Sequence, residues 1–253
     1  MPDENRSLLR GVQILKAFRP GSDLLGNGEL AERTGLSRAT VSRLTGTLVS
    51  AGMLERDSQQ RAYRLAAPVL SLAFAMKSGS PLLQVAAPMM REASDNLKLN
   101  VGLAVADGDE MVYLESIRYN RKVALRNVVA GQRVPVELTS LGHAWLAVAP
   151  EYVRKKLLAD FKARRLKAWP VIAAEIQAAI RSVAAVGYCV ASWQPEVVAV
   201  STPLQVGGRS ACILNMSMAT DQDMGVAARE IAPPLLALKT SLETKLAAIS
   251  WAT

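Results

Sequence analysis

The stretch GELAERTGLSRATVSRLTGTLVSAG, residues 28–52, predicts two short helices joined by a tight turn. Gly35 can adopt the positive φ that ends a helix at little energetic cost. Ser37 can cap the second helix, because its hydroxyl can accept a hydrogen bond from a backbone N–H group of the first turn. Apolar residues recur at helical spacing through both segments and are expected to face a core. These residues are Leu30, Ala31, Leu36, Val41, Leu44, Leu48 and Val49.

The opposite face of the second helix carries hydroxyl and guanidinium groups and no acidic residue. Such groups suit the phosphates and the base edges of a DNA major groove. An ordinary helical hairpin with a polar outer surface is the alternative, since Ser, Thr and Arg are common on any solvated helix. The residues assigned to this face are Arg38, Thr40, Ser42, Arg43, Thr45 and Thr47.

Two short strand-like runs, residues 53–56 and 62–65, flank the polar sequence DSQQR at residues 57–61 and predict a hairpin. A helix-turn-helix followed directly by a hairpin is the winged variant, whose wing can reach the neighbouring groove or the DNA backbone. The chain is therefore predicted to contact double-stranded DNA through one helix and one wing tip. The predicted DNA-binding residues are Ser37, Arg38, Thr40, Ser42, Arg43 and Thr47 in the helix, and Gln59, Gln60 and Arg61 in the wing.

Composition sets the broad class of the protein. The 253 residues suffice for two unequal domains, and half of them are hydrophobic. The formal net charge of +8 and the sequence pI near 9.7 suit a polyanionic partner. Two cysteines and one histidine without ligand-like spacing predict neither a metal site nor another cofactor. No signal peptide and no uninterrupted apolar span of about 18 residues is visible, so a reduced, cytoplasmic protein without a membrane partner is expected.

The segments around the winged helix-turn-helix suggest how it is held and paired. A first helix is expected at residues 6–18, and an apolar helix at residues 69–77. The second of these helices would be poorly soluble if exposed, so it is predicted to pack on a partner copy. The sequence SGSP at residues 78–81 is typical of a linker.

Beyond the linker, the hydrophobic period changes between that of helices and that of strands. Strands, then helices, then strands again predict an α+β domain with helices flanking a sheet. The helices are expected at residues 82–97, 141–148, 150–167, 172–186 and 221–249, the last interrupted around Pro233 and Pro234. The strands are expected at residues 100–106, 110–117, 122–129, 188–192, 197–203 and 210–218.

Several motifs, in their order along the chain, resemble the IclR family of bacterial transcriptional regulators. The N-terminal part of the match runs through SLLRGVQILKAF, LAERTGLSRATVSRLTGTLVSAGMLERD and YRL. The second half contains AVADGDEMVYLES and then GQRVPVELTSLGHAWLA, which is similar to the family's G-x-R-x-P-L-x-x-T-A-x-G-K-A segment. GYC and VAVSTPL follow, so the ordered set covers nearly the whole chain.

The resemblance implies a winged helix-turn-helix domain at residues 1–66, a dimerising linker helix at residues 67–80 and a GAF-like effector-binding domain at residues 81–253. It also implies a homodimer or homotetramer, a palindromic operator, and the binding rather than the conversion of a small carboxylate metabolite. We expect an aromatic or keto acid from a catabolic pathway. Carried over residue by residue, the effector site comprises Val123, Arg126, Val134, Ser140, Leu141, Val197, Ala199, Asn215 and Ser217.

Arg126 is the residue of this set that carries a charge, and it lies in an apolar run. A buried guanidinium needs a partner. It could fork onto a carboxylate of the ligand, or pair with an internal acid such as Glu137 or Glu115. The chain also departs from the family pattern, with His143 where Lys is usual and Ser140 where Ala or Gly is usual, so the effector's identity cannot be borrowed from other members.

Two other classes of protein remain open at this point. An enzyme carrying a DNA-binding head would need a nucleophile, and Ser140 with His143 has neither an obvious orienting acid nor a nucleophile elbow. A constitutive DNA-binding protein without an effector would respond to no small molecule. The basic helix expected at residues 154–167 is interpreted as a solvated face, with contact to flanking DNA as the alternative.

Overall fold

The computed structural model describes residues 4–119, 128–205 and 211–249. The chain folds as two compact units, Met1–Ser80 and Pro81–Thr253. Two of the expected effector residues, Val123 and Arg126, lie outside the described residues, as does most of the strand expected at residues 122–129.

The N-terminal unit is a three-helix cluster with a small antiparallel sheet and one trailing helix. Its strands pair in the order β1-β3-β2, and apolar side chains of the helices and of the sheet form one core. The helices are α1 Arg6–Ala17, α2 Asn27–Thr34, α3 Arg38–Ser50 and α4 Pro68–Ser78. The strands are β1 Leu25–Gly26, β2 Leu54–Asp57 and β3 Ala62–Leu65.

The predicted turn between α2 and α3 is confirmed. Gly35 ends α2 with a φ of 68°, in the left-handed region that glycine tolerates. The hydroxyl of Ser37 accepts a 3.3 Å hydrogen bond from the backbone N–H of Thr40 and caps α3. The turn is therefore set by local chemistry, and it fixes the angle at which α3 leaves α2.

Thr45 is a correction to the predicted outer face of α3. It is fully buried, because it follows Val41 by four residues and so shares the stripe of the helix that faces the core. Its hydroxyl donates to the carbonyl oxygens of Val41, at 2.9 Å, and Ser42, at 3.1 Å. These bonds satisfy the hydroxyl inside the helix and allow a polar residue to be buried.

The C-terminal unit is an α+β domain built on one antiparallel sheet, as predicted. The strands lie in the order β6-β5-β4-β9-β8-β7. The strands are β4 Asn100–Asp107, β5 Glu110–Ile117, β6 Arg133–Pro135, β7 Cys189–Gln194, β8 Val197–Leu204 and β9 Cys212–Ala219. The helices are α5 Pro81–Leu97, α6 Ser140–Val148, α7 Glu151–Arg164, α8 Trp169–Val186 and α9 Met224–Ala247.

The two faces of this sheet are covered differently. One face packs against α5 and α9 over a core that includes Val101, Leu214 and Val200. The other face contributes Ala104 and Ile213 to a second core under α6, α7 and α8. Asn100, Gly102 and Ala104 alternate with buried neighbours on β4 and so point to this second face. Within the described residues, the second core does not extend to the part of this face around Asn100.

The closing helix is a second correction. It was predicted to be interrupted around Pro233 and Pro234, but α9 runs without a break from Met224 to Ala247. Proline removes a backbone hydrogen bond and crowds the preceding turn. The apolar side chains around the two prolines, Ile231, Ala232 and Leu235, are buried against the sheet, and this burial holds the helix together.

By length and composition alone, α8 could cross a membrane. Core helices of globular domains pass the same test. Here Ile172, Ile176 and Ala179 of α8 are buried in the second core of the C-terminal unit.

Candidate DNA-binding surface and effector cleft

The outer face of α3 presents two cations in the N-terminal unit. The side chains of Arg38, Ser42, Arg43 and Thr47 are exposed, and Thr40 is half-buried. The predicted helical residues therefore lie around the solvent-facing side of α3, and their groups suit the phosphates and base edges of a groove.

Three hydroxyls on this face are engaged within the helix. The Oγ of Ser37 and the Oγ1 of Thr40 lie 2.9 Å apart, and the Oγ1 of Thr47 donates to the carbonyl oxygen of Arg43 at 3.2 Å. Ser37 and Thr40 therefore shape the start of α3. The charged groups that reach outward are the guanidiniums of Arg38 and Arg43, whose side chains are exposed.

The wing tip is held in a fixed turn by Asp57. Its carboxylate accepts a 2.9 Å hydrogen bond from the backbone N–H of Gln60 and pairs with Arg64 at 2.6 Å. The hydrogen bond from Gln60, followed by the charge of Arg64, holds the pKa of Asp57 below its ordinary value. Arg61 adopts a positive φ of 50°, and Gln59, Gln60 and Arg61 are all exposed at the tip.

A cleft lies on the second face of the sheet in the C-terminal unit. It is formed by polar and apolar residues of the strands, of the segment that follows β5 and of the segment that precedes β6. The residues that line it are Asn100, Val101, Gly102, Tyr113, Ser116, Arg118, Tyr119, Val128, Gln194, Val197, Asn215, Ser217 and Ala219.

Strand pairing explains why the polar residues meet. Asn100 lies opposite Ser217, and Gly102 lies opposite Asn215, in the ladder between β4 and β9. Side chains two residues apart on a strand share a face, so both pairs point into the cleft. The ring of Tyr113, on β5, lies next to both Gly102 and Asn215. This is shown by the fact that a Cβ atom on Gly102 would overlap the ring and the Oδ1 of Asn215.

The cleft holds a protonated phenol and two unpaired acceptors. Burial raises the pKa of Tyr113 to about 12, against the opposing effects of a hydrogen bond with Asn215 and of the charge of Arg118. The phenol therefore keeps its proton at neutral pH. The Oδ1 atoms of Asn100 and Asn215 are buried and have no hydrogen-bond partner among the described residues. Unpaired buried acceptors are uncommon in folded proteins and call for an explanation.

The expected effector residues fall in two places. Val197, Asn215 and Ser217 line the cleft, and Ala199 is paired with Ser217 on the neighbouring strand. Val134, Ser140 and Leu141 are buried in the core beside α6 instead of lining the described cleft. Their role in effector binding stays a prediction.

Six polar residues of the cleft were missed from the sequence, Asn100, Tyr113, Ser116, Arg118, Tyr119 and Gln194. A polar residue at the start of an apolar strand, such as Asn100 before VGLAVA, was the available signal. Such residues are common at strand ends, so the signal is weak without the pairing.

Ser140 and His143 do not form a nucleophile and base. The hydroxyl of Ser140 accepts a 2.8 Å hydrogen bond from Ser201, and the Nε2 of His143 lies 3.0 Å from the carbonyl oxygen of Glu137. Burial is the main reason why the pKa of His143 is lowered. The carboxylate of Glu137 is paired with Arg165 at 2.9 Å, so this acid, suggested above for Arg126, has another partner.

The thiols and the acidic groups indicate no further chemistry. Burial raises the pKa of Cys189 to about 12 and that of Cys212 to about 11, so both remain unreactive thiols. Among the described residues, no group of three or more His, Cys, Asp or Glu side chains could hold a metal ion.

Two family models match the chain. The model of the IclR helix-turn-helix domain matches residues 7–58, and the model of the C-terminal domain of the bacterial transcriptional regulator IclR matches residues 74–222. The HTH-type transcriptional regulator TsaQ1/TsaQ2 of Comamonas testosteroni is 36% identical over 164 residues. That alignment covers 64% of this chain and 59% of the relative, which is less than two thirds of the relative's length.

Solved structures show the same fold. The structure of an IclR family transcriptional regulator from Brucella abortus is 31% identical, has a TM-score of 0.85, and the match covers 96% of this chain and 93% of that one. The structure of an IclR homologue from Microbacterium hydrocarbonoxydans, in complex with 4-hydroxybenzoate, is 21% identical with a TM-score of 0.65. It covers 94% of this chain and 99% of that one.

These matches extend over both units of the chain. They confirm the predicted winged helix-turn-helix and the predicted α+β C-terminal domain. They also confirm that the chain is a regulator and not an enzyme, because the family and its curated relatives are transcriptional regulators. The chain belongs to the IclR family of bacterial transcriptional regulators.

Proposed function

We propose that this regulator binds a palindromic operator as a homodimer in the cytoplasm, and that a small organic acid bound in the cleft of the C-terminal unit controls its affinity for DNA. The observation that carries this proposal is the cleft itself. It is lined by the guanidinium of Arg118, the protonated phenol of Tyr113 and two unpaired amide oxygens, which together resemble a prepared ligand site more than a packed core.

The DNA-binding half of the proposal rests on α3 and the wing. Arg38 and Arg43 are exposed on one face of α3, and Arg61 is exposed at the wing tip. In a winged helix-turn-helix, such a helix enters the major groove and the wing contacts the neighbouring groove or backbone. Phosphate contacts from these cations supply affinity, and base-edge contacts from α3 supply sequence preference.

The homodimer is supported by the surface of α4. Four apolar side chains of this helix, Leu70, Leu72, Phe74 and Met76, are each more than half exposed in the single chain. Exposed apolar groups at this density mark an interaction surface in a folded protein. A second copy covers them by packing its own α4 in the same way, and two-fold symmetry then places two α3 helices for two half-sites. A tetramer would add a second such pairing.

The effector is proposed to be an organic acid because of Arg118. This residue lines the cleft, and its positive charge reaches Tyr113 strongly enough to affect the pKa of the phenol. Val128 and Val197 provide apolar walls for the rest of the ligand. An aromatic or keto acid meets these features, and the homologue from Microbacterium hydrocarbonoxydans was solved with one such acid, 4-hydroxybenzoate. Arg126, outside the described residues, is proposed as a second partner for the carboxylate.

Control of DNA binding follows from a population shift. The protein exists in states that differ in the spacing of its two DNA-binding units, and the acid binds one of these states more tightly. The operator also accepts one spacing better than others. The acid therefore raises or lowers operator affinity by the difference between its affinities for the states.

Two measurements test this function. Sequencing of the DNA fragments that the protein retains from its own genome identifies the operator, which we expect to be palindromic. Calorimetric titration of the protein with benzoate, 4-hydroxybenzoate and pyruvate, each beside its amide, then tests the effector. We expect at least one acid to bind tenfold or more tightly than its amide, and to change operator affinity.

Arg118→Met should remove the preference for the acid over its amide, while Arg164→Met, which changes an exposed arginine of α7 outside the cleft, should leave it unchanged. If no acid binds or alters operator affinity, the protein is a constitutive DNA-binding protein. Turnover of any of these compounds would point to an enzyme instead.

A further inference from the structure

The pair formed by Tyr113 and Asn215 suggests what else the effector carries besides its carboxylate. This inference rests on the proposed function, since it concerns the same cleft. We propose that Tyr113 and Asn215 select a hydroxylated organic acid, whose hydroxyl group accepts a hydrogen bond from the phenol of Tyr113 and donates one to the Oδ1 of Asn215.

Asn215 provides the acceptor. It lies on β9 at the centre of the sheet, is 4% exposed and lines the cleft. Its Oδ1 is buried without a hydrogen-bond partner among the described residues. An amide oxygen in this position has lost water and has gained no donor, which costs free energy in the unliganded protein. A ligand that brings a donor recovers that free energy.

Tyr113 provides the donor. The hydrogen bond with Asn215 lowers the pKa of the phenol, so it favours the phenolate and is one that the phenol oxygen accepts from the amide N–H group. The phenol nevertheless stays protonated, because burial raises its pKa to about 12. The phenol can therefore act as a donor in the cleft, where the Oδ1 of Asn215 is unpaired.

Gly102 keeps this pair in place. It lies opposite Asn215 in the ladder and also lines the cleft. A Cβ atom at this position would overlap the Oδ1 of Asn215 and the ring of Tyr113. The missing side chain leaves room for both polar groups at one point of the sheet.

A hydrogen-bond donor that lies beside an acceptor is best matched by a ligand group that can both accept and donate a hydrogen bond. A hydroxyl has one proton to donate and lone pairs to accept, so it satisfies Tyr113 and Asn215 together. A carboxylate is an acceptor only, and it would place its oxygens against the Oδ1 of Asn215. A methyl group or a hydrogen would leave both protein groups unpaired. The carboxylate of the ligand is thus directed to Arg118, and the hydroxyl to the Tyr113–Asn215 pair.

Asn100 extends the same requirement. Its Oδ1 is a second buried acceptor without a partner among the described residues, and it lines the same cleft next to Ser217. A ligand with two hydroxyl groups would satisfy both amide oxygens. We therefore expect a dihydroxylated acid to bind at least as tightly as its monohydroxylated analogue.

The test uses pairs of acids that differ in one hydroxyl group. The full-length parent is titrated calorimetrically with benzoate and 4-hydroxybenzoate, with 3,4-dihydroxybenzoate, and with propionate and lactate. We expect tenfold or tighter binding of the hydroxylated member in at least one pair. Tyr113→Phe and Asn215→Leu should each reduce that ratio to less than about threefold while retaining affinity for the acid without the hydroxyl.

Two controls separate ligand selection from damage to the fold. Tyr152→Phe removes an exposed phenol from α7 outside this cleft and should leave the ratio unchanged. Asn215→Leu removes the unpaired buried acceptor together with the hydrogen bond to Tyr113, so the melting temperature of the unliganded variant should fall by no more than about 4 °C. A larger fall would show that Asn215 has a further structural partner and would overturn its assignment to the ligand.

The outcomes distinguish this inference from the proposed function. If acids bind and change operator affinity, but the parent does not discriminate between the members of any pair, the selection by Tyr113 and Asn215 is wrong while the effector function stands. If the preference survives in both variants, the hydroxyl is recognised elsewhere. If none of these acids binds, both proposals fail.

Discussion

The hydroxyl of Ser201 donates a 2.8 Å hydrogen bond to the hydroxyl of Ser140, and both residues are fully buried. This bond joins β8 to the first turn of α6. Ser201 is also the strand neighbour of Asn215, so the helix is tied to the strand pair that forms the cleft. The position of α6 and the position of Asn215 are therefore linked through one pair of hydroxyls.

Removing either hydroxyl should destabilise the C-terminal unit. Ser201→Ala and Ser140→Ala each leave a buried partner with one hydrogen bond fewer, at a cost of about 1–3 kcal/mol in the free energy of unfolding. The double variant should lose less than the sum of the two, because it leaves no unpaired group behind. Urea unfolding of the four proteins measures this coupling, and strictly additive losses would show that the bond contributes nothing.

The two arginines on the outer face of α3 should carry operator affinity. Arg38→Ala and Arg43→Ala should each weaken binding by about 1–3 kcal/mol if the side chain reaches a guanine edge. A loss that is equal for all DNA sequences would instead indicate a phosphate contact. Lys245→Ala, which removes an exposed cation in the last turn of α9, is the matched control. Fluorescence anisotropy at one fixed salt concentration compares them, and unchanged binding by both α3 variants would exclude this face.

The exposed apolar side chains of α4 should hold the dimer together. Replacing Leu72 and Phe74 together with Glu places two charges in the proposed interface and should yield monomers that no longer bind a full palindrome. Leu166 and Val171 are similarly exposed apolar residues of the C-terminal unit, and their double replacement with Glu is the control. Sedimentation velocity decides the matter. A Leu72 and Phe74 variant that sediments like the parent would rule out α4 as the interface.

The ion pair between Glu137 and Arg165 should contribute more to stability than a surface pair. Glu137 is 4% exposed at its side chain and receives hydrogen bonds from two nitrogens of Arg165, at 2.9 and 3.0 Å. Arg165→Met leaves that carboxylate buried without its cation and should cost about 1–3 kcal/mol. Lys155→Met breaks the largely exposed pair with Glu151 and should cost less than about 1 kcal/mol. Equal losses in thermal unfolding would contradict the role assigned to Glu137.

His143 should make the protein less stable in mild acid. Burial is the main reason why the pKa of His143 is lowered in the folded state. Below the ordinary pKa of 6.5, the unfolded chain therefore binds a proton at this residue that the folded chain does not bind. Stability from this group is thus present above pH 6.5 and is lost as the pH falls towards the folded pKa, by at most about 1.4 kcal/mol per pH unit. The variant His143→Gln should lack this loss.

Urea unfolding of the parent and of His143→Gln between pH 7.5 and pH 5.5 measures the difference, since the other titrating groups are shared. Two parallel profiles would show that His143 does not titrate in this range.

Local pattern was sufficient for the winged helix-turn-helix. Gly35 and Ser37 mark the turn by chemistry that acts within a few residues, and the apolar spacing around them marks the core. The same pattern could not place Thr45, because the choice between the core and the outer face depends on how α3 packs and on whether the hydroxyl finds a carbonyl oxygen in its own helix. The continuity of α9 through Pro233 likewise depends on burial by the sheet.

The polar cleft depends on pairing between strands that are far apart in the chain. Asn100 and Tyr113 look like ordinary strand residues until β4 is aligned with β9 and β5, which brings them beside Asn215. Neighbouring strands meet through backbone hydrogen bonds, and the register that selects which side chains lie together follows from the packing of the whole sheet. Short stretches of the sequence therefore determine whether each element is a helix or a strand. The acceptor of Asn215 and the donor of Tyr113 become neighbours only in the folded domain, because they are about 100 positions apart in the chain.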